Sequence, residues 1–498
     1  MDLITRVLLP TIFIAVFIIP ASAQSGVSFE STLSSTVGEL QKVLSLVADF
    51  AGRFGGGDTR TVSAVGDCME LLDLSVDEIN WTIDANSSSR KHHHDRRTWL
   101  SAALGNQDTC EEGLSHTNVV LRTLIGGGLR TVTNLVADCL SNIPGSGDGR
   151  RRKLFGLKKG FPTWLGRKDR SLLEVTTVGC VNAEFVVSQD GCGNYQTVKE
   201  AIDAAPLKSE KRTVIYVKRG VYKENVEVKK KKWNIVLIGD GMGATIITGD
   251  RNVVDGWTTY RSATFAISGK GFLARDITFE NTAGPEKHQA VALRSDSDLS
   301  VFYRCEFKAY QDTLYPHGLR QFYRECRISG TVDFIFGNAA AIFQNCNILA
   351  RKPLPGQKNT VTAHGRKDPN QNTGFTIQSS NITADIDLAT SNDTMNPTYL
   401  GRPWKPFSRT VVMQSYLGPA IQPRGWLEWN GDFALSTLYY AEYDNQGPGS
   451  MLGGRVKWPG YHIINDTSVA NLFTVAQFLD GNSWLPSSGV TYTAGLTM

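Results

Sequence analysis

Three heptapeptides, VFYRCEF at 301–307, FYRECRI at 322–328 and IFQNCNI at 342–348, align on their cysteines. The cysteines repeat after 21 and then 20 residues. An aromatic residue lies three positions before each cysteine, and an apolar residue lies two positions after it. Gly and Asn turns separate the units, with no helical pattern between them. A repeat of this length indicates a β-solenoid in which each unit is one coil.

The same apolar pair recurs on both sides of the three units, upstream as Phe272 and Ile277 and downstream as Ile377 and Ile382. The steps between units are therefore 30, 21, 20 and 34 residues. A fixed short core with a variable step is typical of short strands joined by loops of different length. A chance repeat in an all-β sandwich is the alternative. A leucine-rich repeat is disfavoured because its leucine and asparagine ladder is missing.

Stacked coils would bring together residues that repeat with the same step. Asp312 and Asp333 are also 21 residues apart, and two adjacent carboxyl groups cannot both ionise easily, so one is kept protonated. Neighbouring strands lie about 4.8 Å apart, and a disulfide spans Cα separations of about 4.4–6.8 Å. Cys305, Cys326 and Cys346 can therefore form one bridge and leave one thiol free.

The N terminus has the features of a secretory signal. Arg6 precedes an apolar run at 7–19, and Pro-Ala-Ser-Ala ends at Ala23 in an A-x-A site. We expect residues 1–23 to be removed, and an uncleaved anchor is the alternative. No later apolar run is long enough to span a bilayer, so no integral membrane segment is expected. Secretion permits disulfides and N-glycosylation. Candidate N-x-S/T sites are Asn80, Asn86, Asn381, Asn392 and Asn465.

The charge of the chain points to an acidic partner. The net charge is +4 and the pI is about 8.5, which suits an acidic extracellular polymer. Nucleic acid is not an expected partner, because no recognition module is visible. Four lysines at 229–232 form the densest basic run. We interpret this run as a solvated strand edge that prevents aggregation.

Residues 24–149 have a helical pattern. LQKVLSLVADF at 40–50 and CMELLDLSVDEI at 68–79 place apolar residues at i, i+3 and i+4. About four such segments predict a small helical bundle, and Cys68 and Cys110 lie in two of them and could link them. The run of three histidines at 92–94 is flanked by basic residues. We interpret it as a solvated loop rather than a metal site.

A basic linker at 150–177 separates the two halves. It contains RRRKL and RKDRSLL, which we interpret as exposed processing sites; an uncleaved linker is the alternative. After Val178 the sequence changes to short Val, Ile, Thr, Phe and Tyr runs between turns. A helix over 194–205, stopped by Pro206, is expected to cover the open N-terminal end of the solenoid. The sequence does not determine the pairing of Cys139, Cys180 and Cys192.

Several polar residues fall in phase with the aspartate pair. Asp333 lies among apolar residues, and a buried carboxyl group needs a polar partner. Gln289 precedes Asp312 by 23 residues and belongs on the neighbouring coil, with Gln311 beside the pair. Amide donors next to two carboxyl groups suit an oxyanion hole. A polar ladder that only stabilises a turn is the alternative.

The segment LGRPWK at 400–405 favours catalysis over that alternative. Arg402 could hold a carboxylate ionised through a bidentate pair. Trp404 offers a flat apolar face for a sugar ring. A plain loop remains the structural alternative for this segment.

Residues 178–498 resemble the plant pectin methylesterases, which are carbohydrate esterases. Five motifs occur in the family's order and cover nearly all of this half. The matching strings are GVYKE at 220–224, HQAVALR at 288–294, YQDTLY at 310–315, GTVDFIFGNAA at 330–340 and LGRPWK at 400–405. The helical half resembles the pectin methylesterase inhibitor domain through DCMELLDLSVDEI and TWLSAALGNQDTC. It departs from that domain because the family's first cysteine pair is absent.

The resemblance implies an all-β, right-handed parallel β-helix preceded by an all-α helical-bundle domain. It also implies a role for each residue that matches a family motif. Asp333 would be the nucleophile and Asp312 the acid/base, and Gln289 and Gln311 would stabilise the oxyanion. Arg402 would position Asp333, while Thr259 and Trp404 would contact substrate. Cys326–Cys346 would be the disulfide, which leaves Cys305 free.

The implied activity is hydrolysis of the methyl esters of homogalacturonan, which releases methanol and leaves acidic pectin. The expected enzyme is a secreted, monomeric cell-wall protein that needs no metal or cofactor. Its helical half would be an autoinhibitory or folding pro-region, and a subtilisin-like processing protease and inhibitor proteins are further expected partners. A β-helix glycosidase or lyase and a wall protein that only binds pectin are the rival functions.

Overall fold

The structure is a computed structural model that describes residues 28–54, 58–85, 90–115, 117, 119–143, 183–391 and 396–497. The expected signal at 1–23, the basic linker at 150–177, Cys180, Asn86 and Asn392 lie outside the described residues. Two parts are present. A bundle of α-helices, called the helical half below, is followed by a large β-structure, called the β-helix below.

The helical half contains four long helices, which confirms the prediction of a small bundle. They are α1 (Phe29–Phe54), α2 (Thr59–Asp84), α3 (Arg90–Leu114) and α4 (Val119–Ser141). Their apolar faces meet in one core that includes Leu40, Leu72 and Val136. A disulfide joins Cys68 of α2 to Cys110 of α3.

The three histidines do not form a loop, and that interpretation was wrong. They belong to the first turns of α3. His94 lies against the β-helix, with its Nε2 3.2 Å from the carbonyl oxygen of Phe478 and 3.1 Å from Nδ2 of Asn372. No cluster of potential metal-binding side chains occurs within the described residues.

The β-helix winds three parallel sheets around one core. Sheet A contains β1 (Phe185–Val187), β2 (Thr213–Val217), β5 (Ile235–Ile238), β8 (Leu273–Arg275), β11 (Ser300–Tyr303), β14 (Arg320–Arg324), β17 (Ala340–Gln344), β20 (Gly374–Gln378), β23 (Arg409–Met413), β25 (Tyr439–Tyr443) and β26 (Tyr461–Ile463). Sheet B contains β3 (Gly220–Lys223), β6 (Thr245–Gly249), β9 (Thr278–Asn281), β12 (Glu306–Lys308), β15 (Arg327–Gly330), β18 (Asn347–Ala350), β21 (Asn381–Ala384) and β24 (Tyr416–Leu417). Sheet C contains β4 (Val226–Val228), β7 (Phe265–Ile267), β10 (Leu293–Ser295), β13 (Leu314–Pro316), β16 (Ile335–Gly337), β19 (Asn359–His364) and β22 (Thr398–Gly401). This architecture is the predicted right-handed parallel β-helix.

The cysteine alignment gives the correct register for the three central coils. Phe302 pairs with Tyr323, and Tyr323 pairs with Phe343, so their rings stack at centroid distances of 4.8 and 4.7 Å. The downstream pair also fits, because Phe343 pairs with Ile377. The sequence alignment placed the upstream pair, Phe272 and Ile277, two residues too early. Ala274 is the residue that pairs with Phe302, so the step there is 28 residues.

A left-handed residue turns the chain from sheet A to sheet B in each of these coils. It directly precedes each ladder cysteine, at Arg304 (φ 48°), Glu325 (φ 55°) and Asn345 (φ 56°). Asp276 (φ 59°) has the same place in the upstream coil and is followed by Ile277 instead of a cysteine. One residue with positive φ redirects the strand sharply, which lets short strands lie on two different sheets.

The ladder cysteines are thiols, and the expected Cys326–Cys346 disulfide is absent. The Cys326 sulfur hydrogen-bonds the carbonyl oxygens of Phe302 and Arg324, each at 3.4 Å. The Cys346 sulfur contacts the carbonyl oxygen of Gln344 at 3.6 Å. Burial raises the pKa of the Cys326 thiol well above its usual value, and Cys346 adds to this increase. The two thiols are thus buried, and backbone carbonyl oxygens accept their hydrogen bonds.

Short helices cover the ends and one side of the β-helix. Helix α5 (Val198–Ala204) lies at the N-terminal end as predicted, begins in a capping box formed by Thr197 and Glu200, and buries Ile202 in the solenoid core. Within the described residues, the other short helices are α6 (Ile386–Ala389), α7 (Thr467–Asn471), α8 (Val475–Phe478) and α9 (Leu485–Ser488). The part of the chain that the structure describes also has 3₁₀ turns at Tyr260–Ser262, Pro285–Lys287, Pro448–Ser450, Leu452–Gly454 and Gly481–Ser483.

The helical half packs against sheet C. Side chains alternate along each strand of this sheet, so Leu314 and Ile335 point into the solenoid core while Tyr315 and Phe336 point outward. The outward residues share one apolar core with the helices, together with Tyr260 and other neighbours. Every helix within the described residues is too short or too polar to cross a bilayer.

The lysine run at 229–232 is not a solvated strand edge, and that interpretation was wrong. Lys230 makes ion pairs with Asp73 at 2.7 Å and Asp77 at 2.8 Å, both on α2. Lys232 is buried and donates a hydrogen bond to the carbonyl oxygen of Asp203 at 2.6 Å. The run lies in the turn after β4, where it contacts the helical half and the α5 region.

Candidate active site

A cavity of about 490 Å³ lies between sheet C and the helical half. All seven residues selected from the sequence line it. They are Thr259, Gln289, Gln311, Asp312, Asp333, Arg402 and Trp404. The helical half contributes Arg60, Asp67, Thr109, Glu112, Gly113 and Ser115. The cavity is therefore bounded on one side by the β-helix and on the other by α2, α3 and the residue that follows α3.

The two aspartates occupy the same position on adjacent coils. Each lies two residues before a strand of sheet C, and the register pairs Leu314 with Ile335. The backbone N–H of Asp312 donates to the carbonyl oxygen of Val332 at 3.1 Å, which joins the two coils at this point. Both aspartates have left-handed backbone conformations, with φ of 62° and 51°. Aspartate is among the few residue types that tolerate this conformation.

Asp333 is held from two sides. Arg402 donates through Nε to Oδ1 at 2.8 Å and through Nη2 to Oδ2 at 2.6 Å. Thr360 donates to Oδ1 at 2.6 Å, and its hydroxyl oxygen accepts the Asp333 N–H at 2.8 Å. Arg402 is itself positioned, because its guanidinium stacks 4.4 Å from the Trp429 ring centroid. These hydrogen bonds fix the orientation of the Asp333 carboxyl group.

Asp312 is in a different environment. Burial raises its pKa well above the usual 3.8, and the neighbouring Asp333 carboxylate raises the pKa further, while Arg402 opposes the increase. The side chain is only 7% exposed. The pair therefore combines a carboxyl group held by Arg402 and Thr360 with one whose pKa is raised by burial and by its neighbour. The two stacked aspartates thus have different environments.

Gln289 and Gln311 reach the cavity from neighbouring coils. The carbonyl oxygen of Gln311 accepts the N–H of Ala290 at 3.3 Å, and the carbonyl oxygen of Gln289 accepts the N–H of Val253 at 3.1 Å. Their backbones are thus fixed by the solenoid, and both side chains line the cavity. The side-chain amides can donate hydrogen bonds to a ligand oxygen there.

Aromatic residues form an apolar wall beside the aspartates. Tyr315 and Phe336 stack with ring centroids 4.1 Å apart, and Phe336 packs edge-on against Trp404 at 6.0 Å. The sequence reasoning selected Trp404 but missed the other two and Trp429. Tyr315 and Phe336 could have been found from the strand alternation, because each follows a core residue in a quoted motif. Thr360 gave no recognisable signal.

Helix α3 contacts the cavity rim through charged residues. Lys405 pairs with Asp108 at 2.9 Å and with Glu112 at 2.5 Å. Burial alone would raise the pKa of Asp108, but Lys405 and Lys367 outweigh this effect and lower its pKa. Thr109, between these acids, contacts His317 Nε2 at 2.8 Å. The helical half therefore lies over the cavity through specific polar contacts as well as apolar packing.

Comparison with known proteins identifies the β-helix. The family model described as pectinesterase matches residues 184–482. The chain belongs to the pectinesterase family. A second model, described as plant invertase/pectin methylesterase inhibitor, matches residues 19–141, which include the described part of the helical half. A pectinesterase is a carboxylic ester hydrolase, so the ester chemistry suggested by the aspartate pair agrees with the family.

Some relatives of this pectinesterase match both halves of the chain, and others match about two thirds of it. The pectinesterase/pectinesterase inhibitor PPE8B of Prunus persica is 57% identical over 94% of this chain and 90% of its own length. The structure of a pectin methylesterase from carrot is 57% identical, covers 65% of this chain and 100% of its own, and has a TM-score of 0.63. A pectin methylesterase solved in complex with hexasaccharide VII is 25% identical, covers 64% of this chain and 100% of its own, and has a TM-score of 0.51.

Proposed function

We propose that the cavity hydrolyses the methyl esters of homogalacturonan, with Asp333 as nucleophile and Asp312 as acid and base. The observation that carries this proposal is the asymmetry of the pair. Arg402 and Thr360 hydrogen-bond Asp333, whereas burial beside Asp333 keeps the pKa of Asp312 high. A carboxylate and a protonated carboxyl group next to each other are what two-step ester hydrolysis needs.

In the first step, a carboxylate oxygen of Asp333 attacks the C6 carbonyl carbon of a methylated galacturonate. The carbonyl oxygen gains the negative charge, and the amides of Gln289 and Gln311 stabilise it by hydrogen bonds. The bond from carbon to the methoxy oxygen then breaks. Asp312 gives its proton to that oxygen, so methanol leaves and an acyl-enzyme anhydride remains on Asp333.

In the second step, Asp312 acts as a base because it has lost its proton. It removes a proton from a water molecule, and the resulting hydroxide attacks the acyl carbon. The bond between that carbon and Asp333 breaks, which releases a galacturonate carboxyl group and restores Asp333 as a carboxylate. Asp312 holds the proton again, so the enzyme returns to its starting state.

The sugar chain would extend beyond the cavity on the β-helix. Thr259 and Trp404 would contact it next to the aspartates. A second open cavity of about 530 Å³ adjoins the first, with Gln311, Arg402 and Trp429 in common. All of its lining residues come from the β-helix. Since a relative was solved with a hexasaccharide, these two cavities are suited to neighbouring sugars of one polymer.

The helical half would act as an autoinhibitory pro-region. It contributes side chains to the cavity that contains the aspartates and lies over their coils, so a polymer cannot enter while it is bound. We propose that a subtilisin-like protease cuts at 150–177 and that the β-helical half works as a secreted monomer in the cell wall. Separate inhibitor proteins of the same fold would bind the surface that the helical half leaves.

The catalytic assignment is tested by methanol release from methylated pectin by the β-helical half (178–498). Asp333→Asn and Asp312→Asn should each lower the rate by at least a thousandfold. Asp444→Asn is the matched control, because Asp444 also has a left-handed backbone (φ 48°) but lies on another turn and is exposed. Methanol release without shortening of the polymer separates esterase from glycosidase or lyase. Retained activity in Asp333→Asn would disprove its role as nucleophile.

The autoinhibitory role is tested by comparing the full chain with the β-helical half. The β-helix has a continuous core made only of its own residues, and the carrot enzyme folds with a chain that covers 65% of this one. The half is therefore expected to fold alone. Equal specific activities of the two forms would rule out autoinhibition and leave a folding role for the helical half.

A further inference from the structure

Thr360 forms a closed ring of hydrogen bonds with Asp333. Its hydroxyl oxygen accepts the backbone N–H of Asp333 at 2.8 Å, and the same hydroxyl donates to Asp333 Oδ1 at 2.6 Å. A hydroxyl has a single proton to donate, so this contact uses the donor capacity of Thr360 completely. One side chain thus fixes both the left-handed backbone and the carboxyl group of Asp333.

The Thr360 hydroxyl is itself held in one position. Thr360 is fully buried on β19, between β16 and β22 of sheet C. Its N–H donates to the carbonyl oxygen of Thr331 at 3.2 Å, and its carbonyl oxygen accepts the N–H of Phe334 at 3.2 Å. A branched side chain such as that of threonine has few rotamers. The coil that carries Asp333 is therefore joined to Thr360 on both sides of the aspartate.

The two oxygens of the Asp333 carboxyl group have unequal numbers of hydrogen bonds. Oδ1 accepts from Arg402 Nε at 2.8 Å and from Thr360 at 2.6 Å. Among the described residues, Oδ2 accepts only from Arg402 Nη2, at 2.6 Å. A carboxylate has about four lone-pair sites on its two oxygens, so the sites of Oδ1 are in use and one site of Oδ2 is free. Oδ2 can therefore form a bond to carbon without first losing a hydrogen bond.

We propose that Oδ2 of Asp333 attacks the ester and that Thr360 is a positioning residue that speeds the release of Asp333 from the acyl-enzyme. This inference rests on the proposed function. In the first step, an electron pair of Oδ2 forms the bond to C6 of the galacturonate. The bond from C6 to the methoxy oxygen breaks, and that oxygen leaves with its electron pair and the proton of Asp312 as methanol. Asp333 is then part of a neutral anhydride.

Thr360 acts when Asp333 leaves. In the second step, Asp312 takes a proton from water, and the hydroxide forms a bond to C6. The bond from C6 to Oδ2 breaks, its electron pair returns to Asp333, and the negative charge spreads over Oδ1 and Oδ2. The hydrogen bond from Thr360 to Oδ1 becomes stronger as this charge develops, because charged acceptors form stronger hydrogen bonds than neutral ones. Thr360 therefore lowers the barrier to breakdown of the anhydride.

Rapid-quench measurement of methanol release from methylated pectin by the β-helical half tests this role. Thr360→Val keeps the shape of the side chain and removes the hydroxyl. We expect kcat to fall about ten- to thirtyfold, because a hydrogen bond to a charged group is lost. KM should fall by a similar factor, because the anhydride accumulates, and a burst of about one methanol per enzyme should precede the slow steady rate. Thr360→Ser keeps the hydroxyl and should behave like the parent.

Thr264→Val is the matched control. Thr264 is fully buried directly before β7 of sheet C, and its hydroxyl donates to the carbonyl oxygen of Glu280 at 2.9 Å. Its variant should show no burst and should keep the kcat and KM of the parent. If Thr360→Val fails to fold, Thr360→Ala gives the same comparison. A fall in kcat at constant KM and without a burst would overturn the role of Thr360 in the release of Asp333.

The outcomes also separate this inference from the proposed function. Methanol release by Asp333→Asn at the parental rate would refute the esterase mechanism and this inference together. An inactive Asp333→Asn enzyme with parental kinetics in Thr360→Val would retain the mechanism and refute the role of Thr360. A faster Thr360→Val enzyme would overturn the assignment of Oδ2, since an attacking Oδ1 would first have to lose the hydrogen bond from Thr360.

Discussion

Asp312 and Asp333 are the same residue type in the same backbone conformation, and their roles differ because of their neighbours. Arg402 and Thr360 lie on the Asp333 side and hydrogen-bond its oxygens. Burial and the charge of Asp333 act on Asp312 and raise its pKa. One arginine and one threonine therefore give two identical side chains different environments, which is what the proposed nucleophile and proton donor require.

The raised pKa of Asp312 predicts that its removal stabilises the protein. Between the usual pKa of 3.8 and the raised pKa, the folded state holds a proton that the unfolded state has lost. Stability of the parent therefore falls as pH rises through this window. Asp312→Asn cannot ionise, so at pH 7 it should be about 1–3 kcal/mol more stable than the parent. Urea unfolding at pH 7 and below pH 4 measures this difference.

The stability gain of Asp312→Asn should disappear below pH 4, where Asp312 of the parent is protonated in both the folded and the unfolded state. Asp444→Asn serves as the control, because Asp444 is exposed and also has a left-handed backbone. A gain of the same size at both pH values would mean that packing, and not ionisation, explains the effect.

Arg402→Lys tests whether geometry matters as well as charge. Lysine keeps the positive charge but cannot donate two parallel hydrogen bonds to Asp333 or stack on Trp429 in the same way. We expect kcat for methanol release to fall about a hundredfold, since a misplaced nucleophile loses near-attack geometry. Arg424→Lys is the control, because Arg424 forms an exposed pair with Glu428 at 3.1 Å. A hundredfold loss in the control would contradict the assignment.

At the scale of the coil, one left-handed residue per turn connects sheet A to sheet B. Ser379 has this role in the coil after Asn345, with φ of 51°. Its hydroxyl oxygen is buried and has no hydrogen-bond partner among the described residues. Glycine adopts positive φ without the steric cost that other residues have. The sequence at this turn is therefore not the most stable choice.

Ser379→Gly should increase stability by about 1 kcal/mol, because it removes both the backbone strain and the unsatisfied hydroxyl. The next residue gives a matched control. Ser380 accepts a hydrogen bond from the N–H of Cys346 at 3.0 Å and donates to the carbonyl oxygen of Gln378 at 3.0 Å. Ser380→Gly should therefore destabilise the protein. Thermal unfolding of both variants checks the signs, and destabilisation by Ser379→Gly would contradict the argument.

The sequence predicted the solenoid because its repeat is short and regular in the central coils. Phe302, Tyr323 and Phe343 pair as the alignment required. The prediction failed at Phe272, where no cysteine marks the turn and a second apolar pair fits the same pattern. The resemblance implied a Cys326–Cys346 disulfide, but both residues are free thiols in the structure. The equal spacing had left open which two of the three cysteines could form a bond.

Spacing alone could group site residues only where motifs recur in phase. Gln289, Asp312 and Asp333 lie on adjacent coils and could be grouped from spacing. Thr360 could not be grouped with them, because the loop between β18 and β19 has a length that no periodicity determines. Residue spacing therefore predicts contacts within a regular stack and gives no information about contacts that loops create.

At the scale of the whole molecule, the contact between the halves joins residues far apart in sequence. Glu112 and Lys405 are 293 residues apart, and no local pattern could pair them. The histidine run and the lysine run were misread for the same reason, since each was interpreted without the half that it contacts. Their true environment follows only from the way the helices pack on sheet C.

This contact makes the activity of the full chain sensitive to two acids of α3. Asp108 and Glu112 pair with Lys405 at the cavity rim, and only 17% of the Lys405 side chain is exposed. Removing both acids leaves a largely buried cation unpaired, which is strongly unfavourable. Asp108→Asn/Glu112→Gln should therefore weaken the hold of the helical half and raise methanol release by the full chain about tenfold.

Methanol release by the Asp108→Asn/Glu112→Gln full chain should approach the rate of the β-helical half and not exceed it. The double variant changes access to the aspartates and not their chemistry. Glu39→Gln is the control, since Glu39 forms an exposed pair with Lys42 on α1, away from the β-helix. Its activity should equal that of the parent full chain. If the double variant showed no gain while the β-helical half was much more active, apolar packing on Tyr315 and Phe336 would be what keeps the cavity closed.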